Sequence, residues 1–187
     1  MQKLAIQHVQ AIYAAAKPII KIHGVGGSRW KRNVAKGARI GPWLQGDYSM
    51  VNEAVWNEKG VCLYLVQGND GVVRYVGISR NGVKHRWRLS PAYDALTMAP
   101  LAKRQLFHSQ CWKRIEDECS QQPGRSFEVR SIDGPSLSAL LTLMGPPLSG
   151  FTTFGDDHES VVHSVERWIC NHKNAQLVQW NVAMTGT

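Results

Sequence analysis

The strongest constraint on the fold is a pair of β-rich runs that flank a short turn cluster. The runs are VCLYLVQ at 61–67 and GVVRYVGIS at 71–79, with Gly, Asn and Asp between them. Such runs around turn-forming residues predict a β-hairpin. If the turn holds an even number of residues, opposed positions sum to an odd number, so Tyr64 and Tyr75 are predicted to share a sheet face. Taken alone, such a pair also fits ordinary aromatic packing in a core.

The remaining segments alternate between helical and extended patterns. Pro18 is expected to bend or end the first helix, and Asp156 or Asp157 to cap the last one. In chain order, the predicted elements are a helix over 2–22, a Gly-rich loop or arm over 24–46, helices over 82–89 and 101–119, a third strand over 126–132, a helix over 136–144, a loop over 145–155 and a helix over 158–174. The sequence therefore predicts an α/β (α+β) fold in which a small three-stranded antiparallel sheet is flanked by helices.

Length, cysteine usage and charge narrow the function classes. The 187 residues suffice for one domain with a full core and are few for two. No apolar run approaches the length of a membrane span and no secretory leader is evident, so we expect a cytoplasmic protein. The four cysteines form no CxxC pair, which argues against a zinc knuckle or a disulfide framework. The net charge of +8 and the pI near 9.5 favour nucleic acid as partner, with charge that serves only solubility as the alternative.

Five short motifs follow one another in an order that points to a known family. The motifs CLY, YVG, VKHRWR, VERWI and QWNVA contribute, in this order, Tyr64, Tyr75, Arg86, Glu166 and Asn181. Over about residues 60–183, their order and the elements between them resemble the GIY-YIG nuclease superfamily, most of all its type II restriction endonucleases. The resemblance implies a GIY-YIG-like core and a metal-dependent endonuclease that hydrolyses DNA phosphodiester bonds with Mg²⁺ or Mn²⁺.

The resemblance also implies a role for each of the five residues. Tyr64 is the expected general base, and Tyr75 is expected to hydrogen-bond the attacking water or the phosphate. Arg86 would grip a phosphate oxygen, Glu166 would bind the metal ion, and Asn181 would brace the site or its backbone. A tyrosine with an ordinary pKa near 10 is a weak base at neutral pH, so Tyr64 would need nearby cations that lower its pKa.

Three positions depart from the family pattern. Cys62 replaces the first glycine of the first tripeptide, a change that affects packing more than chemistry. Glu166 precedes Trp168 of the W-I pair by two positions, where three is commoner in the family, so Glu159, seven residues earlier on the same helix face, stays open as the alternative metal ligand. Ser90 stands where many members carry a histidine or tyrosine, and either Tyr93 or His85 is the candidate substitute.

The resemblance leaves two regions beyond a minimal core. We predict that residues 1–59 form an N-terminal helix and basic arm that recognises double-stranded DNA, and that 60–187 form the catalytic domain with an insertion at about 134–156. Because palindromic sites are usually bound by two-fold assemblies, a homodimer is expected. Candidate nucleic-acid-binding residues are the basic side chains of the arm and helices: Arg29, Lys31, Arg32, Lys36, Arg39, Lys84, Arg88, Lys103 and Arg104.

Two other functions stay open at the level of the sequence. One is a GIY-YIG nuclease outside restriction, such as a toxin, a defence effector or a repair enzyme. The other is a non-catalytic DNA-binding protein that keeps the fold. The intact set of Tyr64, Tyr75, Arg86 and Glu166 favours an enzyme over this last alternative.

Overall fold

A computed structural model describes residues 2–31, 42–87, 99 and 111–181 of the chain. In chain order, the elements are α1 (Gln2–Ala15), β1 (Lys17–Lys31), β2 (Pro42–Met50), α2 (Glu53–Asn57), β3 (Cys62–Gly68), β4 (Val73–Ser79), α3 (Lys84–Trp87), α4 (Cys111–Gln121), β5 (Phe127–Asp133), α5 (Gly134–Met144), a 3₁₀ helix (Leu148–Phe154) and α6 (His158–Asn171). Within the described part of the chain, no helix has the length and apolar character that crossing a bilayer requires.

The predicted α/β class is confirmed, but the prediction of a three-stranded sheet is wrong. In the described ranges the sheet has five strands in the order β2-β1-β5-β3-β4, and all pairings are antiparallel. The two additional strands occupy much of the segments predicted as a helix over 2–22 and as a loop or arm over 24–46. Helix α1 ends at Ala15, and β1 pairs with β5 from Lys17 to Ile22. This β-branched run gains a distant strand partner, and that pairing outweighs the helical spacing of the preceding residues.

The later elements agree better with their predictions. Strand β5 and helix α5 lie within one or two residues of the predicted bounds. Asp157 caps α6 as predicted, because its side chain accepts a hydrogen bond of 3.1 Å from the backbone amide of Ser160. The predicted loop over 145–155 instead contains the 3₁₀ helix. Of the two helices predicted over 82–89 and 101–119, only the parts in α3 and α4 lie within the described residues.

In the hairpin of β3 and β4, the two tyrosines lie on the same face of the sheet, as predicted. Tyr64 lies opposite Gly77, and Val66 lies opposite Tyr75, so opposed positions along this stretch sum to an odd number. On its other side, β3 pairs with β5 without a register shift. Strand β3 is therefore fixed between two partners, whereas β4 forms an edge of the described sheet.

Alternate side chains of β3 enter two hydrophobic cores, one on each sheet face. Leu63 and Leu65 enter the first core, which also contains buried residues of α1, α5 and α6. Tyr64 and Val66 enter the second core, together with buried residues of α3 and α4. Each fully buried apolar side chain contributes about 1.5–3 kcal/mol relative to exposure. The sheet is thus covered by helices on both faces, and the two tyrosines belong to the second core.

A charged network joins the hairpin to α4 and to the last described residues. Arg74, which is only 4% exposed, donates to Glu118 at 3.1 Å and to Asp70 at 2.5 Å. Arg125 contacts Asp70 at 2.9 Å, and the indole of Trp180 donates to Glu118 at 2.9 Å. Burial alone would raise the pKa of Asp70, but hydrogen bonds from Arg74 and a backbone amide bring it to about 2. The network holds together segments that are distant in sequence.

Replacing Arg74 with methionine is expected to lower the free energy of unfolding by about 3 kcal/mol, because two carboxylates lose a buried guanidinium partner. Urea denaturation at pH 7 measures this loss. Arg114→Met, at an exposed position of α4, is the matched control and should change stability by less than about 0.5 kcal/mol. Equal losses in the two variants would contradict a structural role for the network.

Candidate active site

The two tyrosines form a stacked pair on the second-core face of the hairpin. Their ring centroids are 6.0 Å apart at an interplanar angle of 29°. Trp87 of α3 packs edge-on against Tyr64, with centroids 6.0 Å apart at 81°. Tyr64 is only 1% exposed, whereas Tyr75 is partly exposed. Solvent or substrate therefore reaches Tyr75 more readily than Tyr64.

Gly77 provides the space that the pair occupies. A Cβ atom at this position would lie 2.5 Å from the Tyr64 hydroxyl and 2.8 Å from Cε1 of Tyr75. Real Cβ atoms do not approach other heavy atoms so closely, so any side chain here would displace at least one ring. The glycine of the YVG tripeptide is thus explained by the packing of both tyrosines against the β4 backbone.

Arg86 lies at the electrostatic centre of the site. Its Nε donates a hydrogen bond of 2.9 Å to the carbonyl of Ile78, which fixes the base of the guanidinium on β4. The charge of Arg86 acts to lower the pKa of Tyr64, Tyr75 and Glu166, against the larger opposing effect of burial. One cation thus lies near two phenols and one carboxyl group that come from different elements.

Glu166 and Glu159 differ sharply in their surroundings. Burial raises the pKa of Glu166 to about 7, although the nearby Arg86 lowers it. Within the described ranges, the Glu166 carboxylate has neither a hydrogen bond nor an ion pair. Glu159 instead accepts a 2.6 Å hydrogen bond from Nε of Arg80 and lies 3.8 Å from Nε2 of His163. Only Glu166 is coupled to the tyrosine pair, through its effect on the pKa of Tyr75.

Asn181 closes the outer edge of β4 beside the site. Its Oδ1 accepts from the backbone amide of Val76 at 3.0 Å, and its Nδ2 donates to the carbonyl of the same residue at 2.7 Å. The side chain is buried, and Lys173 donates to the Asn181 carbonyl. An asparagine amide both donates and accepts, so it satisfies this edge backbone as a neighbouring strand would.

Both phenols are protonated at neutral pH. Burial raises the pKa of Tyr64 and of Tyr75 well above the ordinary 10, and the charge of Arg86 offsets only part of the rise. A hydrogen bond between the phenols raises the pKa of Tyr64 further and lowers that of Tyr75. The condition under which Tyr64 would act as a base, a pKa lowered by nearby cations, is therefore not met by Arg86 alone.

The described part of the site offers few protein ligands for a divalent cation. The described residues contain no cluster of three or more histidine, cysteine, aspartate or glutamate side chains that would hold a metal ion. They do contain Glu166, a buried carboxylate without a local partner, and Mg²⁺ is commonly bound through one carboxylate, waters and substrate phosphate. The donor set therefore fits Mg²⁺ or Mn²⁺ that binds together with a phosphate.

The predicted nucleic-acid-binding residues are only partly described. Lys84 of α3 is exposed and donates to Oδ1 of Asn57 at 2.9 Å. Arg29 and Lys31 lie on β1, for which the backbone pairing with β2 is described. The other candidates lie outside the described residues: Arg32, Lys36, Arg39, Arg88, Lys103 and Arg104. Ser90 and its possible substitute Tyr93 lie outside them too.

Some contributors to the site were not foreseen from the sequence. The carbonyl of Ile78 anchors Arg86, and Arg80 pairs with Glu159. The signal for Ile78 is its position directly after the YVG tripeptide. Pairing of Arg80 with a residue 79 positions away has no local signal in the sequence.

No family model, curated protein or solved structure matches this chain. The GIY-YIG resemblance therefore stays a prediction that rests on the ordered motifs.

Gly77→Ala is expected to destabilise the chain by about 1–3 kcal/mol, because the added methyl group forces the tyrosine pair apart. Near-ultraviolet circular dichroism should change along with the unfolding midpoint in urea. Gly150→Ala, where an added Cβ meets nothing within 4 Å, serves as the control. An unchanged tyrosine signal in Gly77→Ala would contradict the contact.

Glu166→Gln is expected to stabilise the folded chain at high pH. The pKa of Glu166 is about 7 in the folded chain against an ordinary 4.5, so folded wild type binds its proton more tightly than the unfolded chain. Its stability therefore falls as pH rises from about 4.5 to about 7 and then levels off. After allowance for screening at this partly exposed group, the variant should gain about 2 kcal/mol over wild type between pH 4 and pH 8.

Urea denaturation of both proteins at the two pH values measures this gain. Glu53→Gln, at an exposed carboxylate of α2, is the matched control. A difference between Glu166→Gln and wild type that does not depend on pH would contradict the burial of the Glu166 carboxylate.

Proposed function

We propose that the chain is a metal-dependent DNA endonuclease that hydrolyses phosphodiester bonds at a GIY-YIG-like site. The observation that carries this proposal is the shared influence of Arg86 on the pKa of Tyr64, Tyr75 and Glu166. These residues belong to the hairpin, to α3 and to α6, and they span about a hundred positions of the sequence. Two phenols, a guanidinium and a carboxylate are the groups that the motif resemblance requires at one site.

Arg86 binds the scissile phosphate in this proposal. Its Nε is engaged by the carbonyl of Ile78, which leaves both terminal nitrogens available for the phosphate oxygens. A guanidinium held at its base presents this fork in a fixed direction, so little side-chain freedom is lost on binding. The same charge stabilises the negative charge that develops on phosphorus in the transition state.

Tyr75, more than Tyr64, contacts the attacking water. Tyr75 is partly exposed and accepts a hydrogen bond that lowers its pKa, whereas Tyr64 is fully buried. Tyr64 then acts through Tyr75 as a positioning residue. This assignment reverses the roles expected from the family, where the counterpart of Tyr64 is the favoured base.

Glu166 would hold the divalent cation, which supplies positive charge to the phosphate and to the departing oxygen. Binding of positive charge would also favour the ionised form of Glu166, against the cost of its burial.

Duplex DNA is the substrate that the N-terminal strands favour. Beyond Ile22, β1 no longer pairs with β5 and pairs only with β2, as far as Lys31 opposite Pro42. A two-stranded antiparallel ribbon fits the major groove of B-DNA, where base edges can be read. This ribbon carries Arg29 and Lys31. It favours sequence-specific cleavage, as by a type II restriction endonuclease, over cleavage without sequence preference.

Incubation of the purified chain with plasmid and phage DNA tests the proposal. With Mg²⁺ we expect cleavage that EDTA abolishes, and Glu166→Gln should slow it by about 10³-fold or more, since loss of several kcal/mol of transition-state stabilisation has this effect. DNA binding in Ca²⁺ should survive the substitution. Glu53→Gln should cleave like wild type.

The pattern of products separates the possible functions. Discrete bands indicate a restriction endonuclease, and a smear indicates a nuclease without sequence preference. Binding without cleavage in any metal would contradict the enzyme and leave a DNA-binding protein. Cleavage that persists in Glu166→Gln would contradict the proposed site.

A further inference from the structure

A polar pocket opens beside Arg86, and neither residue of the tyrosine pair lines it. It has a volume of about 340 Å³. Its lining consists of two guanidinium groups, an imidazole, an amide, a hydroxyl and one aliphatic side chain, from Arg80, Arg86, His163, Asn81, Ser79 and Ile78. Among these lining residues there is no carboxylate. The lining is therefore rich in hydrogen-bond donors and carries two guanidinium groups, one of them paired with Glu159 from outside the lining, and such a donor set suits an anion.

A carboxylate outside the lining of this pocket holds Arg80 in position. Its Nε donates to Oε1 of Glu159 at 2.6 Å, although its side chain is 67% exposed. Glu159 lines the adjoining cleft and does not line the pocket. The carboxylate thus holds Arg80 by Nε, and within the described ranges no hydrogen bond engages the terminal nitrogens of Arg80, which are left for a ligand.

Arg86 lies in both sites. It lines the pocket, and its charge affects the pKa of the phenols and carboxyl of the candidate active site. An anion in the pocket and a phosphate at the active site would therefore be neighbours that share one guanidinium. In nucleic acids, neighbouring anions are the successive phosphates of one strand.

We propose that this pocket binds the backbone phosphate adjacent to the cleaved one, with Arg80 as its main ligand. The inference rests on the proposed function, which supplies the first phosphate. The volume is ample for one phosphate group with part of its sugar. Phosphate contacts of this kind fix the register of the strand without reading its sequence.

The probe for this pocket is deoxythymidine 3′,5′-bisphosphate, which carries two phosphates on one nucleoside. Isothermal titration calorimetry with the full chain in Ca²⁺ compares it with the 3′- and 5′-monophosphates. Two occupied sites should make the bisphosphate bind at least about 10-fold tighter than either monophosphate, because the second contact is intramolecular. Equal affinities would overturn the proposal.

Variants test whether the pocket causes the tighter binding of the bisphosphate. Arg80→Gln should reduce the preference for the bisphosphate to about 2-fold or less, and Arg80→Lys should restore part of it. Arg167→Gln removes an equal charge from an exposed position of α6 and should keep the full preference. A preference that survives in Arg80→Gln, or that falls equally in Arg167→Gln, would overturn the assignment.

Plasmid cleavage by the same preparations separates this inference from the proposed function. Cleavage by wild type without any preference for the bisphosphate overturns the pocket and leaves the nuclease standing. A preference that depends on Arg80, found without cleavage in any metal, supports the pocket and overturns the proposed chemistry.

Discussion

The register of β3 against β4 determines where the groups of the candidate site lie. Tyr64 lies opposite Gly77, and its hydroxyl fills the space that a side chain would take there. A slip of β3 by one residue would turn Tyr64 into the first core and Leu63 and Leu65 into the second, and would so separate Tyr64 from Tyr75. Pairing with β5 on the other side prevents such a slip, so the active-site geometry depends on the same contacts that build the sheet.

Burial at the site opposes stability and favours chemistry. Tyr64 is buried, Tyr75 and Glu166 are partly buried, and in each case burial raises the pKa above the ordinary value. A chain selected only for stability would place an apolar side chain at position 166, within a helix whose neighbouring buried positions are apolar. An uncompensated carboxyl beside a single guanidinium is better explained by a ligand that brings positive charge and a phosphate together.

Local patterns predicted those elements whose partners are close in sequence. The hairpin, the shared face of its tyrosines and the Asp157 cap follow from turn chemistry, strand periodicity and capping. Strand β1 could not be predicted in this way, because its pairing with β5 spans more than a hundred residues, and β2 joins the described sheet only through β1. The choice between Glu159 and Glu166 as the metal ligand could not be made from the sequence either. Both lie on one helix face, and the groups that distinguish them are distant in sequence: Arg80 pairs with Glu159, and Arg86 lies near the more buried Glu166.

The outer edge of β4 explains why the site lies where it does. Backbone groups of residues 74, 76 and 78 point away from β3, and an uncovered edge invites pairing with other chains. The Trp180 amide donates to the carbonyl of Arg74. The Asn181 side chain pairs with the amide and the carbonyl of Val76. The carbonyl of Ile78 accepts a hydrogen bond from Arg86. Helix α6 packs on the first core and the tyrosines lie in the second, so it is around this edge that Glu166 raises the pKa of Tyr75 and that Arg86 lowers the pKa of Glu166. Arg86 therefore protects the last of these edge carbonyls and is also the residue proposed to bind the phosphate, so one side chain would serve both the sheet and the proposed chemistry.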